Sequence, residues 1–106
     1  MDLTDKAAEA AGLMKALSNE NRLLILCHLV SDEELTAGTL VDRVGLSQSA
    51  LSQHLARLRA QGLVTFHRRA QTLHYRIADG KAARVLSVLR DLFCPELSPE
   101  TGCATE

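Results

Sequence analysis

Between two short stretches of helical periodicity the chain reads Gly45-Leu46-Ser47. Glycine reaches the left-handed backbone conformation that ends a helix, and serine is a favoured N-cap for the next one. Two helices joined by so short a turn predict a helix-turn-helix. The helix before the turn is capped by Thr36 and carries Leu40, Val41 and Val44. The helix after it runs from Gln48 to Gln61 and stops at Gly62, with Leu51, Leu55 and Leu58 at i, i+4 and i+7 on one stripe. With residues about 100° apart, the opposite face holds Ser49, Ser52, Gln53, Ala56, Arg57 and Ala60. That face is polar but short, so nothing bulky on it would hold a nucleic-acid groove at a distance.

The rest of the chain supplies the frame for this unit. Residues 5–17 place Ala7, Ala10, Leu13, Met14 and Leu17 at helical spacing. Ser18 is the expected cap of a second helix, apolar nearly all round through Leu23-Leu24-Ile25-Leu26-Cys27 and Leu29-Val30, as in the buried centre of a small helical domain. The acidic run Ser31-Asp32-Glu33-Glu34 ends it. After Gly62, Val64-Thr65-Phe66-His67 and Leu73-His74-Tyr75-Arg76-Ile77 are rich in β-branched and aromatic residues and predict two strands. The polar turn between them, Arg68 to Thr72, has two arginines near its tip, which makes the hairpin a wing. A last helix over about 80–93 presents Val85, Leu86, Val88, Leu89, Leu92 and Phe93 on a broad apolar face, and Pro95 ends it. The expected fold is mainly α with a β-hairpin wing, in the order α-α-α-α-β-β-α. It forms a single winged helix-turn-helix domain over residues 1–106, with a polar, flexible tail from 96.

Charge is unevenly distributed. From Arg43 to Arg76 there are six arginines and no Asp or Glu, and since the whole chain has a formal charge of −1, the residues outside that stretch carry −7. A solvated surface would intersperse the two signs, whereas a contiguous basic third suits contact with phosphates. No run of about 18 apolar residues is present to cross a bilayer. The acidic start Met1-Asp2-Leu3-Thr4-Asp5 lacks the build of a signal peptide, so the expected location is the cytoplasm.

In a major groove the first turns of a recognition helix lie nearest the base edges. Gln48, Ser49, Ser52 and Gln53 occupy that position; glutamine pairs bidentately with adenine, and serine donates or accepts. Arg57 and Arg43 are placed for phosphate, and Arg68 and Arg69 for backbone or minor groove at the flank. A polar helix face is more often merely solvated. Here the Gly-turn-Ser junction, the arginine hairpin and the missing acids argue together for DNA. One such domain contacts half a site. Pairing through the first and last helices would present two recognition helices to an inverted repeat of double-stranded DNA, and it would cover Leu86, Leu89, Leu92 and Phe93.

The run Leu46-Ser47-Gln48-Ser49-Ala50-Leu51-Ser52-Gln53-His54-Leu55 resembles the ArsR (SmtB/ArsR) repressor family, as do Asn21-Arg22-Leu23-Leu24-Ile25-Leu26 and the hairpin Arg69-Ala70-Gln71-Thr72 with Tyr75. The resemblance extends from about residue 8 to Pro95. It implies a homodimer built on the first and last helices and release from operator DNA on sensing an inducer. One metal-sensing branch of the family has a Cys-x-Cys pair in the third helix; here Thr39-Leu40-Val41-Asp42-Arg43 has no thiol. Another uses Asp and His along the last helix; here Ala82 to Phe93 has no His and one acid, Asp91. Neither metal site is present in its usual form, and no cofactor is implied.

Two cysteines, Cys27 in the second helix and Cys94 at the end of the last, resemble the persulfide-sensing subgroup of that family. The resemblance implies that these thiols react with persulfide or other sulfane sulfur and become joined by a di- to tetrasulfide that weakens DNA binding. A thiolate attacks the outer sulfur of a persulfide, and a second thiol captures the product. A longer sulfur bridge tolerates a wider gap than a disulfide. Arg22 and His28 are near Cys27 in sequence, and positive charge lowers a thiol pKa, although His28, adjacent along the helix, faces elsewhere and carries little weight. Taken alone, Cys27 reads as core packing. Cys103, in the tail, has no assigned role. It opens one rival, in which Cys27, Cys94 and Cys103 supply three sulfur ligands to a thiophilic metal or arsenite, and a peroxide sensor using the same cysteines also stays open. A thiol enzyme is disfavoured: there is no Cys-x-x-Cys, no Gly-rich phosphate loop and no nucleophile with partners. His54, His67 and His74 read as core-edge or DNA-face residues. A protein-interaction module would be recognised by failure to bind DNA with salt-dependent affinity.

Overall fold

The computed structural model describes residues 3–93, so Cys94, Pro95, the tail and Cys103 lie outside the described residues. The elements follow in the order α1 (Leu3–Leu17), α2 (Glu20–Asp32), β1 (Leu35–Thr36), α3 (Ala37–Val44), α4 (Gln48–Ala60), β2 (Val64–Arg69), β3 (Thr72–Ile77) and α5 (Gly80–Phe93). The predicted helices and hairpin are all present. One strand was not expected: β1 pairs antiparallel with β3, Leu35 opposite Tyr75 and Thr36 opposite His74, giving a three-stranded sheet in the order β1-β3-β2.

The helix ends follow local chemistry. Thr36 Oγ1 accepts from the Thr39 backbone N–H at 3.2 Å and caps α3. The cap of α2 is Asn19 rather than Ser18; its side-chain oxygen accepts from the Arg22 N–H at 3.0 Å. Both residue types make good caps, and the one in extended conformation, Asn19 at φ −159°, starts the helix. Asp79 caps α5, accepting from the N–H groups of Lys81 and Ala82 at 2.8 and 3.2 Å.

The core is leucine-rich. Ile25, Leu26, Leu29, Leu40, Leu51, Leu55, Leu58 and Leu86 are each under 2 % exposed, and burying one such side chain stabilises the fold by roughly 2 kcal/mol. At the centre α2 packs against α3, α5 and β3, as its all-round apolar sequence requires. Helix α1 is different. Leu17 is its one buried residue, and it is held to the body partly by polar contacts, with Lys81 donating to Glu9 at 2.7 Å and Arg22 to the Ala16 carbonyl at 2.9 Å. Large apolar side chains stay exposed on α1 (Leu3, Met14) and α5 (Val88, Leu92, Phe93), so the expected apolar face of the last helix is split: Leu86 enters the core and the final turn does not. No helix among the described residues is long and apolar enough to cross a membrane.

Candidate nucleic-acid interface

The α3–α4 turn is built as its residues dictate. Gly45 sits at φ +74° and donates its N–H to the Val41 carbonyl at 3.1 Å. Ser47 Oγ then accepts from the Ala50 N–H at 3.0 Å and starts α4. Leu51, Leu55 and Leu58 lock one stripe of α4 into the core, and that sets the rotation of the helix. Ser49, Ser52, Gln53, Ala56, Arg57 and Ala60 are in consequence exposed together on the outer face; Gln48 is exposed at the start of the helix, and His54 is half-buried at the edge of the face.

The wing meets α4 through a cation–π contact on a tilted aromatic pair. Phe66 and Tyr75, partners across β2 and β3, place their rings 5.4 Å apart, and the Arg59 guanidinium lies 4.4 Å over the Phe66 ring. Such a cation–π contact ties the end of the recognition helix to the base of the hairpin. The loop is shorter than expected. Arg68, Arg69 and Thr72 belong to the strands, and only Ala70 and Gln71 connect them, with Ala70 at φ +58°.

Side chains alternate between the two faces of a strand, so the two wing arginines part company. Arg68 shares the face of Phe66. Arg69 shares the face of His67, and its guanidinium donates to His67 Nε2 at 3.0 Å. On that second face Glu34, from the turn between α2 and β1, lies 3.5 Å from His67 Nδ1, 3.6 Å from His74 Nδ1 and 3.7 Å from Arg69. Arg43 likewise forms an ion pair with Asp32. The acid-free stretch of sequence is therefore not acid-free in space, because the acidic run that ends α2 folds back onto two of its arginines. Arg57 and Arg68 have no ion pair among the described residues.

Cys27 is 8 % exposed and belongs to the core cluster. Arg22 is engaged with the last turn of α1. Burial pushes the His28 imidazole below its ordinary value, the nearby Arg43 charge adds to the effect, and the neutral ring is favoured. Glu34 and Asp32 are the functional-site residues that sequence reasoning missed; the one available signal was the acidic run Asp32-Glu33-Glu34 next to an acid-free basic stretch.

A capped helix-turn-helix with an outward polar face, followed by a basic hairpin packed on the end of the second helix, defines the winged-helix class of DNA-binding regulators. Comparison with known proteins narrows the class. Residues 19–65 match the profile of the bacterial regulatory protein, arsR family. The nodulation protein NolR of Rhizobium meliloti is 48% identical over 89 residues, which cover 84% of this chain and 72% of that protein. The structure of reduced HlyU from Vibrio cholerae superposes with a TM-score of 0.81 at 46% identity, covering 87% of this chain and 96% of that one. The transcriptional repressor BigR from Xylella fastidiosa gives a TM-score of 0.82 at 37% identity, covering 90% and 93%. The chain belongs to the ArsR family of bacterial transcriptional regulators, and its matched relatives are regulators rather than enzymes.

Proposed function

We propose that this protein is a homodimeric repressor that binds an inverted-repeat operator and is released by persulfide or other sulfane sulfur. The observation that carries the DNA-binding part is the exposed face of α4, where Ser49, Ser52, Gln53 and Arg57 emerge together, with Gln48 exposed at its start, from a helix anchored by three buried leucines. The first four read base edges; Arg57, with Arg68 on the wing, contacts phosphate. Arg43 and Arg69 contribute less, because each already has a carboxylate beside it. Dimerisation through α1 and α5 covers Leu3, Met14, Val88, Leu92 and Phe93, which a lone subunit leaves in water.

The inducer reading rests on Cys27 and Cys94. Helix α2 carries the first and packs against α5, whose last residue precedes the second. The Cys27 thiolate attacks the outer sulfur of a persulfide RSSH, giving Cys27–SSH and the thiolate RS⁻. A second persulfide extends this to Cys27–SSSH with loss of another RS⁻. The Cys94 thiolate then attacks the middle sulfur and expels HS⁻, leaving a trisulfide. The sulfane sulfur is the oxidant and leaves as sulfide.

The test is the intact mass of reduced protein after glutathione persulfide or peroxide, with peptide mapping and operator binding measured in parallel. The reading predicts a Cys27–Cys94 bridge holding extra sulfur with persulfide and not with peroxide, together with loss of DNA binding. Cys27→Ser and Cys94→Ser should bind DNA and fail to respond. A plain disulfide with both oxidants would move the inducer to general redox. Normal induction of either variant would remove the two-thiol mechanism and turn attention to a thiophilic metal or arsenite.

A further inference from the structure

Helix α1 meets the body across a cleft of about 560 Å³, walled by one side of α1, the turn leaving α4 and the first turns of α5. Proteins hold small organic ligands in cavities of about 300–1,000 Å³. The floor is apolar: Leu63 is buried, and Leu13, Ala16 and Val85 are half-buried against the core. The rim is polar, with Lys6 and Glu9 from α1, Gln61 from the end of α4, and Asp79 and Lys81 at the start of α5. Lys6, Glu9, Leu13 and Ala16 follow one another at three or four residues and so share one side of α1. Of the described residues assigned to DNA, to the thiol chemistry or to the dimer face, none lines the cleft.

Formally the rim is neutral, but its acids are already engaged. Glu9 accepts from Lys81 Nζ at 2.7 Å. That hydrogen bond first, then the charges of Lys81 and Lys6, hold the Glu9 carboxyl below its ordinary value. Asp79 accepts from the backbone N–H groups of Lys81 and Ala82 as the cap of α5. Left over are the Gln61 amide and the Lys6 ammonium, which has no ion pair among the described residues and can only donate.

We infer that this cleft binds a small amphipathic organic anion, with its hydrocarbon body on Leu13, Leu63 and Val85 and its head group accepting from Lys6 and Gln61. A cationic head would meet Lys6 and find both carboxylates engaged. Occupancy gives α1 packing that it lacks, since Leu17 is its one buried residue. It also joins α1 to Gln61, where the recognition helix ends. The inference goes beyond the reading of the protein as a thiol-switched repressor and does not depend on it.

The test uses the full chain, with octanoate as the probe and octylammonium, the same hydrocarbon with the opposite charge, as its control. In NMR, octanoate should shift the amides of Ala10, Gly12, Gln61 and Leu63, and octylammonium should bind several-fold more weakly. Hydrogen exchange along α1 should slow with octanoate, as for a segment that gains packing. Lys6→Gln should weaken octanoate several-fold and leave octylammonium no weaker. Ala10 is exposed and lines the cleft, so Ala10→Trp should fill it and abolish octanoate binding with helical content kept. Equal affinity for the two head groups, or octanoate binding unaltered by Lys6→Gln, would remove the anion site. Shifts confined to Val88, Leu92 and Phe93 would mean that the hydrocarbon only coats the exposed turn of α5, and the proposal would fall. Operator binding is not read in any of these measurements, so a failure of the repressor reading leaves them decisive.

Discussion

His28 shows how one side chain links the fold to pH. Its Nδ1 is buried without a hydrogen-bond partner among the described residues. Burial first, and the Arg43 charge second, lower its pKa from the ordinary 6.5. The unfolded chain therefore binds this proton more readily than the folded one. The contribution to stability is fully present above 6.5 and is lost as pH falls below that value toward the lowered folded-state pKa. His28→Leu should accordingly flatten the stability profile in that window, as read by urea denaturation midpoints. A variant profile parallel to that of the parent would show that His28 does not titrate with folding. Glu9 and Lys81 show the opposite pairing, each shifted toward its charged form first by their mutual hydrogen bond. Both are exposed to solvent, and such surface pairs carry little stability.

At the scale of elements, α4 was legible from its 3.6-residue period, with Leu51, Leu55 and Leu58 buried, and the hairpin from the β-branched and aromatic residues of β2 and β3. Gly45 and Ser47 marked the turn because each has a local mechanism. The strand β1 was not legible. It is two residues long and owes its existence to Tyr75 and His74, far along the chain. The hairpin tip was read too wide for a related reason: Ala70 takes a left-handed conformation without the glycine or asparagine that ordinarily signals it. The exposed face of α4 followed from the apolar stripe, but the carboxylates beside Arg43 and Arg69 did not, since ion pairs between distant segments leave no pattern in sequence. Arg59 is the contact that makes α4 and the wing one unit. Arg59→Ala should weaken DNA binding several-fold through loss of wing alignment, with a change in stability of about 1 kcal/mol or less. Unaltered affinity would mean that the Phe66–Tyr75 pair alone sets the wing.

For the whole molecule the telling asymmetry is between the two ends and the middle. The core under α2 is fully packed, while α1 and the final turn of α5 carry apolar side chains into solvent, with Phe93 75 % and Leu92 69 % exposed. A subunit of this size gains from sharing such surface. The proposed dimer predicts that Leu92→Glu combined with Val88→Glu yields a folded monomer in sedimentation equilibrium, with helical content retained, since neither side chain enters the core. That monomer should lose most of its operator affinity, because one half-site remains. A dimer that survives both substitutions would place the interface elsewhere.

Among the described residues, the strand order β1-β3-β2 leaves β2 with one side unpaired. An open strand edge is a template on which another chain can add, and proteins blunt such edges with charge. Here the outer half of β2 is His67, Arg68 and Arg69. The arginines proposed to meet a phosphate backbone would also repel a second hairpin, so resistance to edge pairing and the proposed grip on nucleic acid draw on the same charges. A variant stripped of them would lose its ligand and its protection against edge-to-edge aggregation together.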